Sequence, residues 1–213
     1  MNRRELRTRS RAWPSAIARA LARAGVTPNQ VSVTSIVFAA AAAGAFCKAG
    51  ALVAENPGRW LIAAAAGVQL RLLCNLLDGL LAVEGGLKTK TGELYNEIPD
   101  RIADVVILLA AGVAVRYLPW GMTLGVAAAM LAVLTAYVRL LGGSLGLVQS
   151  FGGPMAKQHR MFTLTLGALV AAFEHGNYRS LISLYVALAV VVAGSIVTLF
   201  LRTRRIARAL HEQ

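Results

Sequence analysis

Apolar residues gather along this chain into six runs of about 20, each long enough for a helix to cross a hydrocarbon core of roughly 30 Å. They are Val31 to Val53, Trp60 to Val83, Leu94 to Tyr117, Met122 to Leu147, Pro154 to Phe173 and Leu181 to Leu201. The fifth is uninterrupted only from Met161 onward, so a short or tilted span is expected there, with a five-span chain as the alternative. Ahead of the first run, Trp13, Ile17, Leu21 and Ala22 recur at helical spacing, with Arg19 and Arg23 between them. That pattern predicts an amphipathic helix on a membrane surface, ended by Gly25 and broken by Thr27, Pro28 and Asn29. The expected architecture is an all-α, polytopic integral membrane protein of six transmembrane helices preceded by an N-terminal amphipathic juxtamembrane helix. It divides into a basic arm with its surface helix over 1–26, a membrane domain over 27–201 and a basic tail over 202–213.

Composition supports this reading. Of 213 residues, 57% are hydrophobic and only 15% charged, which excludes an ordinary soluble domain. The charge is lopsided, 22 Lys and Arg against 10 Asp and Glu, for a net +12. The basic residues lie mostly between or outside the apolar runs, so anionic lipid headgroups and topology account for them better than a nucleic acid does. In the six-span arrangement one side collects seven arginines of the N-terminal arm, Lys88, Lys90, Lys157, Arg160, Arg202, Arg204, Arg205 and Arg208. The other side has Lys48, Arg59, Arg116 and Arg179. The positive-inside rule then puts both termini in the cytoplasm and the chain in the cell's inner membrane. Arginine recurs through the first 24 residues without an apolar core region, so no cleaved secretory signal is expected. Cys47 and Cys74 both fall in apolar segments, and a disulfide framework or a zinc cluster cannot be built from them. Trp13, Trp60 and Trp120 near span ends fit an interfacial aromatic belt.

The informative residues are the polar ones at membrane depth, where an ionisable group costs roughly 2.5 to 3.5 kcal/mol and needs a partner, water or a cation. They concentrate around one connection, where span two ends RLLCNLLDGLLAVEGG and span three begins TGELYNEIPDRIAD. Asn75 and Asp78, three residues apart, share a helix face, with Gly79 beside them. Asn96, Asp100 and Asp104 recur every fourth residue on the next span, one turn after Gly92. Two oxygen-bearing faces so placed suit a hard divalent cation, Mg2+ or Mn2+, that could in turn hold phosphate. The competing arrangement is an interhelical ion pair of Asp78 or Asp100 with Arg71 or Arg101. Asp104 and Glu97 are expected to support or pair helices, Arg101 to neutralise one of them, and Glu97 to point about 100° away from Asn96.

The run NxxDGxxAV at Asn75 to Val83, followed after eight residues by GxxxNxxxD at Gly92 to Asp100, resembles the signature of the CDP-alcohol phosphotransferases, DxxDGxxAR, eight residues, GxxxDxxxD. The TPN turn at Thr27 to Asn29, YVR at Tyr137 to Arg139 and GPMAKQHR at Gly153 to Arg160 also look like that family. The resemblance implies a six-span enzyme that moves a phosphate-linked alcohol from a CDP-alcohol donor to a second hydroxyl and releases CMP. It also implies a metal centre at Asn75, Asp78, Asn96 and Asp100, with Asp100 as the catalytic base and a homodimeric state. Donor nucleotide contacts are implied at Thr27, Pro28, Asn75, Asp78, Gly79, Ala82 and Gly92. Three positions depart from the pattern: Asn75 and Asn96 replace aspartates, and Val83 replaces an arginine. The four metal positions thus carry two negative charges where the family pattern carries four, and one ion or two can be accommodated. The lipid setting favours CDP-diacylglycerol as donor. Arg139, Lys157 and Arg160 are candidates for binding acceptor or phosphate, the acceptor being a polar alcohol such as glycerol phosphate, an inositol phosphate or serine. The alternative function is that of a catalytically impaired family member, a lipid-binding protein or a small transporter.

Overall fold

The structure, a computed structural model, describes residues 12–51, 56–84, 86–87, 90–149, 151–178 and 180–212. Every regular element among them is a helix: α1 (Ala12–Arg23), α2 (Pro28–Ala49), α3 (Pro57–Glu84), α4 (Gly92–Ala114), α5 (Gly121–Ser144), α6 (Lys157–Tyr178) and α7 (Ile182–His211). The expectations attached to the first eleven residues, Val53, Lys88 and Arg179 lie outside the described residues.

Local chemistry fixes the first helices. The α1 helix closes on Gly25, whose φ of 77° is left-handed. The Gly25 N–H donates to Ala22 O and the Val26 N–H to Leu21 O, the paired bonds of a Schellman ending. Two residues later Thr27 caps α2. Its hydroxyl accepts from the Gln30 N–H at 3.3 Å while Gln30 Oε1 accepts from the Thr27 N–H at 2.9 Å, with Pro28 in the first turn. The TPN turn is therefore a helix start. The apolar stripe of α1 serves the bundle more than a surface: Ala18 is buried, and Leu21 and Ala22 pack with Cys74, Leu77 and Leu81 of α3, leaving Trp13 and Ile17 exposed.

The six long helices close a ring, in which α3 packs on α2, α2 on α4, α4 on α5, α5 on α7, α7 on α6, and α6 back on α3. Small residues permit the close crossings. A Cβ on Gly112 of α4 would lie 2.7 Å from the Gly125 Cα of α5, and one on Gly125 would lie 2.6 Å from the Gly112 Cα. Alanines of α2, α3, α4 and α5 dominate the interior, filled out by Phe46, Leu61, Ile107, Leu108, Leu164 and Leu184.

Among the described residues four helices, α2, α3, α5 and α7, are long and apolar enough to cross a membrane. The other two long ones, α4 and α6, have 23 and 22 residues, but Glu93, Glu97, Asp100, Arg101 and Asp104 on α4 and Lys157, His159 and Arg160 on α6 lower their hydropathy. Both contribute charged residues to the site. Helix ends differ from the runs read in the sequence. The α6 helix starts at Lys157 because Gly153, Pro154 and Met155 bend the chain before it, and α7 continues past Leu201 to His211. Arg202, placed in a tail by composition, is 6% exposed. Its guanidinium donates to the carbonyls of Gly152, Phe151 and Thr135, tying α7 to α5 and to the turn before α6.

Candidate functional site

The ends of α3 and α4 that flank one connection, together with the C-terminal part of α5 and the first turn of α6, surround a cavity of 620 Å³. Asn75, Asn96, Asp100, Arg139, Lys157 and Arg160 line it, six of the residues expected at a site. The remaining six, Thr27, Pro28, Asp78, Gly79, Ala82 and Gly92, lie off the cavity wall. Trp13 of α1, Phe151 and Arg202 also reach the wall.

Asp100 is the acceptor at the centre. Its Oδ1 receives the Asn75 Nδ2 amide and, at 3.3 Å, Arg71 Nη2. Its Oδ2 receives the Lys157 ammonium, with Arg101 Nη2 3.6 Å away. The interhelical ion pair weighed against metal binding is thus present between Asp100 and Arg71 of α3, while the contact with Arg101 lies within α4. Asp78 differs. It is 3% exposed, its Oδ2 accepts from the Ser32 hydroxyl of α2 at 2.6 Å, and its Oδ1 is buried with no hydrogen-bond partner among the described residues. A buried carboxylate oxygen without a donor is costly and calls for a cation or water.

Behind these two carboxylates lies a second ionic layer. Arg71 is wholly buried and donates from Nη2 to Asp104 Oδ1 at 2.6 Å and to the Asp100 carbonyl at 3.1 Å. The other oxygen of Asp104 accepts from Arg160 Nη2 at 3.2 Å, and Arg160 Nη1 donates to the Thr135 hydroxyl and the Met155 carbonyl, each at 3.1 Å. One buried carboxylate therefore holds a guanidinium from α3 and another from α6. Glu97 lines the cavity despite its position one residue past Asn96, because Arg139 of α5 donates to it at 2.6 Å and Arg101 pairs with it at 3.1 Å. Arg139 also donates to Gln149 and stacks on Phe151, 5.0 Å from the ring centroid. Residues absent from the expected set, Ser32, Thr135 and Arg202, come from α2, α5 and α7. No spacing within the signature points to them, although Ser32 and Thr135 are polar residues inside apolar runs and Arg202 borders one.

The donor set can be weighed for a divalent cation. Among the described residues no three His, Cys, Asp or Glu side chains are grouped to hold a metal, as expected with Asn at positions 75 and 96. Two carboxylates and two amide oxygens remain, all hard oxygen ligands, and the partnerless Asp78 Oδ1 is the vacant acceptor among them. The residues fit such an ion.

Comparison with known proteins gives the family and the fold. Residues 25–202 match the CDP-alcohol phosphatidyltransferase family, and the chain belongs to that family. The inner membrane protein YnbA of Escherichia coli is 31% identical over 104 residues, covering 48% of this chain and half of that protein. A phosphatidylinositol phosphate synthase of Mycobacteroides abscessus is 27% identical over 186 residues, 85% of this chain and 78% of the other. In three dimensions, the Mycobacterium tuberculosis phosphatidylinositol phosphate synthase in complex with manganese and citrate superposes with a TM-score of 0.75 at 22% identity, covering 91% of this chain and 88% of that one. The same enzyme with CDP-DAG bound gives 0.73. The fold is shared with those enzymes.

Proposed function

We propose that this protein transfers a phosphatidyl group from CDP-diacylglycerol to a polar alcohol, with release of CMP, in phospholipid synthesis. The observation that carries the reading is the meeting of two signature helices at one polar cavity. Asp100 lies on its wall among Asn75, Lys157 and Arg71, and Asp78, one turn beyond Asn75 and behind the wall, presents a buried oxygen without a partner among the described residues.

In this reading α4 and α6 cross the membrane with the four more apolar helices, making a six-span domain over 27–201. Asp100, Asp104 and Arg160 are shielded inside the ring while Glu93 and His159 stay exposed near the helix ends, and the length of each, about 33 Å at 1.5 Å per residue, suffices for a crossing. Both termini and the cavity face the cytoplasm of the inner membrane, where the basic residues collect. The arm over 1–26 and the basic residues after Arg202 adjoin the same leaflet, and the protein works as a homodimer.

Asp78 and Asp100, with the amide oxygens of Asn75 and Asn96, hold Mg2+ or Mn2+. Bound there, a divalent ion neutralises the donor's pyrophosphate and eases departure of CMP. Asp100 takes the proton of the acceptor hydroxyl once its present donors yield to substrate. Gly79 and Ala82, lacking bulk, leave room for the cytidine end, with Thr27, Pro28 and Gly92 nearby. Arg139, Lys157 and Arg160 supply positive charge for phosphate on the acceptor side.

Purified protein in detergent, given CDP-diacylglycerol, Mn2+ and a panel of alcohols that includes glycerol phosphate, inositol phosphate and serine, should release CMP with at least one of them. No CMP with any acceptor or either metal would favour a second reading, a lipid-binding or transporting relative without turnover. That reading draws on Asn75 and Asn96 and on an Asp100 already engaged by cations.

A further inference from the structure

The charges around the two signature carboxylates differ in a way that bears on how many cations the site takes, an inference that rests on the metal-site reading above. Asp104 neutralises Arg71 and Arg160 between them only in part, its two oxygens being taken at 2.6 and 3.2 Å. The surplus positive charge of Arg71 therefore falls on Asp100, 3.3 Å away. Lys157 adds a full ammonium on the other oxygen of Asp100. Asp78 has neutral donors, the Ser32 hydroxyl at 2.6 Å and the Gly79 backbone N–H, and no cationic side chain within ion-pair distance among the described residues. Around one carboxylate the negative charge is already matched, and around the other it is not.

We propose that the centre binds a single divalent cation, seated on Asp78, and that the Lys157 ammonium supplies at Asp100 the neutralisation that a second ion would otherwise provide. Charge counting favours this. Asp78, Asp100 and Lys157 together carry one net negative charge. One dication brings the group to one positive charge, which a pyrophosphate can offset, whereas two would bring it to three beside three arginines that Asp104 and Glu97 offset only in part. The ligands point the same way. The Asn75 amide spends its N–H on Asp100, a contact that an aspartate could not make. Lys157 opens α6, so its long side chain reaches Asp100 from a separate helix while its backbone is set by the bend at Gly153, Pro154 and Met155.

The test is Mn2+ binding to the detergent-purified full chain without nucleotide, followed by electron paramagnetic resonance and equilibrium dialysis. Wild type should bind one ion per chain, and Asp78→Asn should lose it. Lys157→Met removes a positive charge close to the ion and should tighten binding about tenfold or more, while Lys157→Arg, which keeps the charge, should stay within about threefold of wild type. Two ions per wild-type chain, or an affinity that Lys157→Met leaves unchanged or weakens, overturns the inference while leaving the metal-site reading intact. No ion bound by wild type overturns both. Size-exclusion profiles identify a misfolded variant, and the wild-type stoichiometry decides the matter without any variant.

Discussion

Asp104 offers the sharpest test of the ionic scaffold. It is 1% exposed and lies between Arg71 at 2.6 Å and Arg160 at 3.2 Å, themselves 0% and 2% exposed. Replacing Asp104 with Asn keeps the shape and removes the charge, leaving two guanidiniums buried without it. Breaking one buried pair costs about 3 to 5 kcal/mol. Two pairs are broken here, but Arg71 keeps Asp100, and Arg160 keeps Thr135 and the Met155 carbonyl, so a loss near the lower end, about 3 kcal/mol, is expected. For a chain of this size that lowers the melting midpoint by on the order of 10 °C. Circular dichroism melts in detergent would measure it. The triple variant Asp104→Leu, Arg71→Met, Arg160→Met removes all three charges together and should recover most of the lost stability. It should still release no CMP, because Arg71 no longer orients Asp100 and Arg160 no longer faces the cavity. An Asp104→Asn midpoint within about 2 °C of wild type would refute the claim that this carboxylate holds the two helices through their arginines.

Three further outcomes are expected. Asp100→Asn, which keeps the side-chain shape, should lower CMP release by about 10² to 10⁴-fold, measured with folding verified by size exclusion; a variant with full turnover sinks its assignment as base. Gly112→Val would set a Cβ 2.7 Å from the Gly125 Cα and should cost about 1 to 3 kcal/mol by separating α4 from α5, whereas Gly44→Ala in the middle of α2, with nothing within 4 Å, should not lower the melt and should add up to about 1 kcal/mol of stability. At the opposite end of the bundle, beyond the fifth span, Glu174 accepts from the Ser180 hydroxyl and from the Ile182 and Ser183 N–H groups that open α7. Glu174→Gln should cost about 1 kcal/mol at pH 7, as for a lost cap, read from the same detergent melts.

The helices were legible in the sequence because a run of about 20 apolar residues has few other uses. Their ends were less so. Nothing in the hydropathy of Pro154 to Met161 marks where α6 begins, and Arg202 reads as a tail residue because its partners, three backbone carbonyls, have no sequence signal. The signature faces were legible from three- and four-residue spacing, which encodes direction on a single helix. Contacts between helices were not. Spacing placed Glu97 away from Asn96, yet Arg139 and Arg101 draw it to the cavity wall. Lys157 and Arg160, read as phosphate binders from their basic character, here engage Asp100 and Asp104. That partner choice depends on how the ring closes α6 against α3, which no local pattern records.

The asparagine at position 75 and the lysine at 157 form one electrostatic arrangement. Asn75 donates to Asp100 from α3 while Lys157 donates from α6, so the carboxylate is held from both sides by groups that an aspartate at 75 would disturb. Asn75→Asp replaces a donor with an anion in contact with Asp100. Two unit charges 4 Å apart repel by about 4 kcal/mol at an effective dielectric of 20; Lys157 and Arg71 offset part of this, leaving a destabilisation of about 2 kcal/mol in metal-free buffer. A divalent ion would relieve the repulsion, since the new carboxylate is also a new ligand. The variant should therefore melt below wild type in chelator and gain more than wild type when Mn2+ is added. If both proteins melt together in chelator, or gain equally from Mn2+, then position 75 does not govern the charge at Asp100, and the pairing of asparagine with lysine has no electrostatic basis.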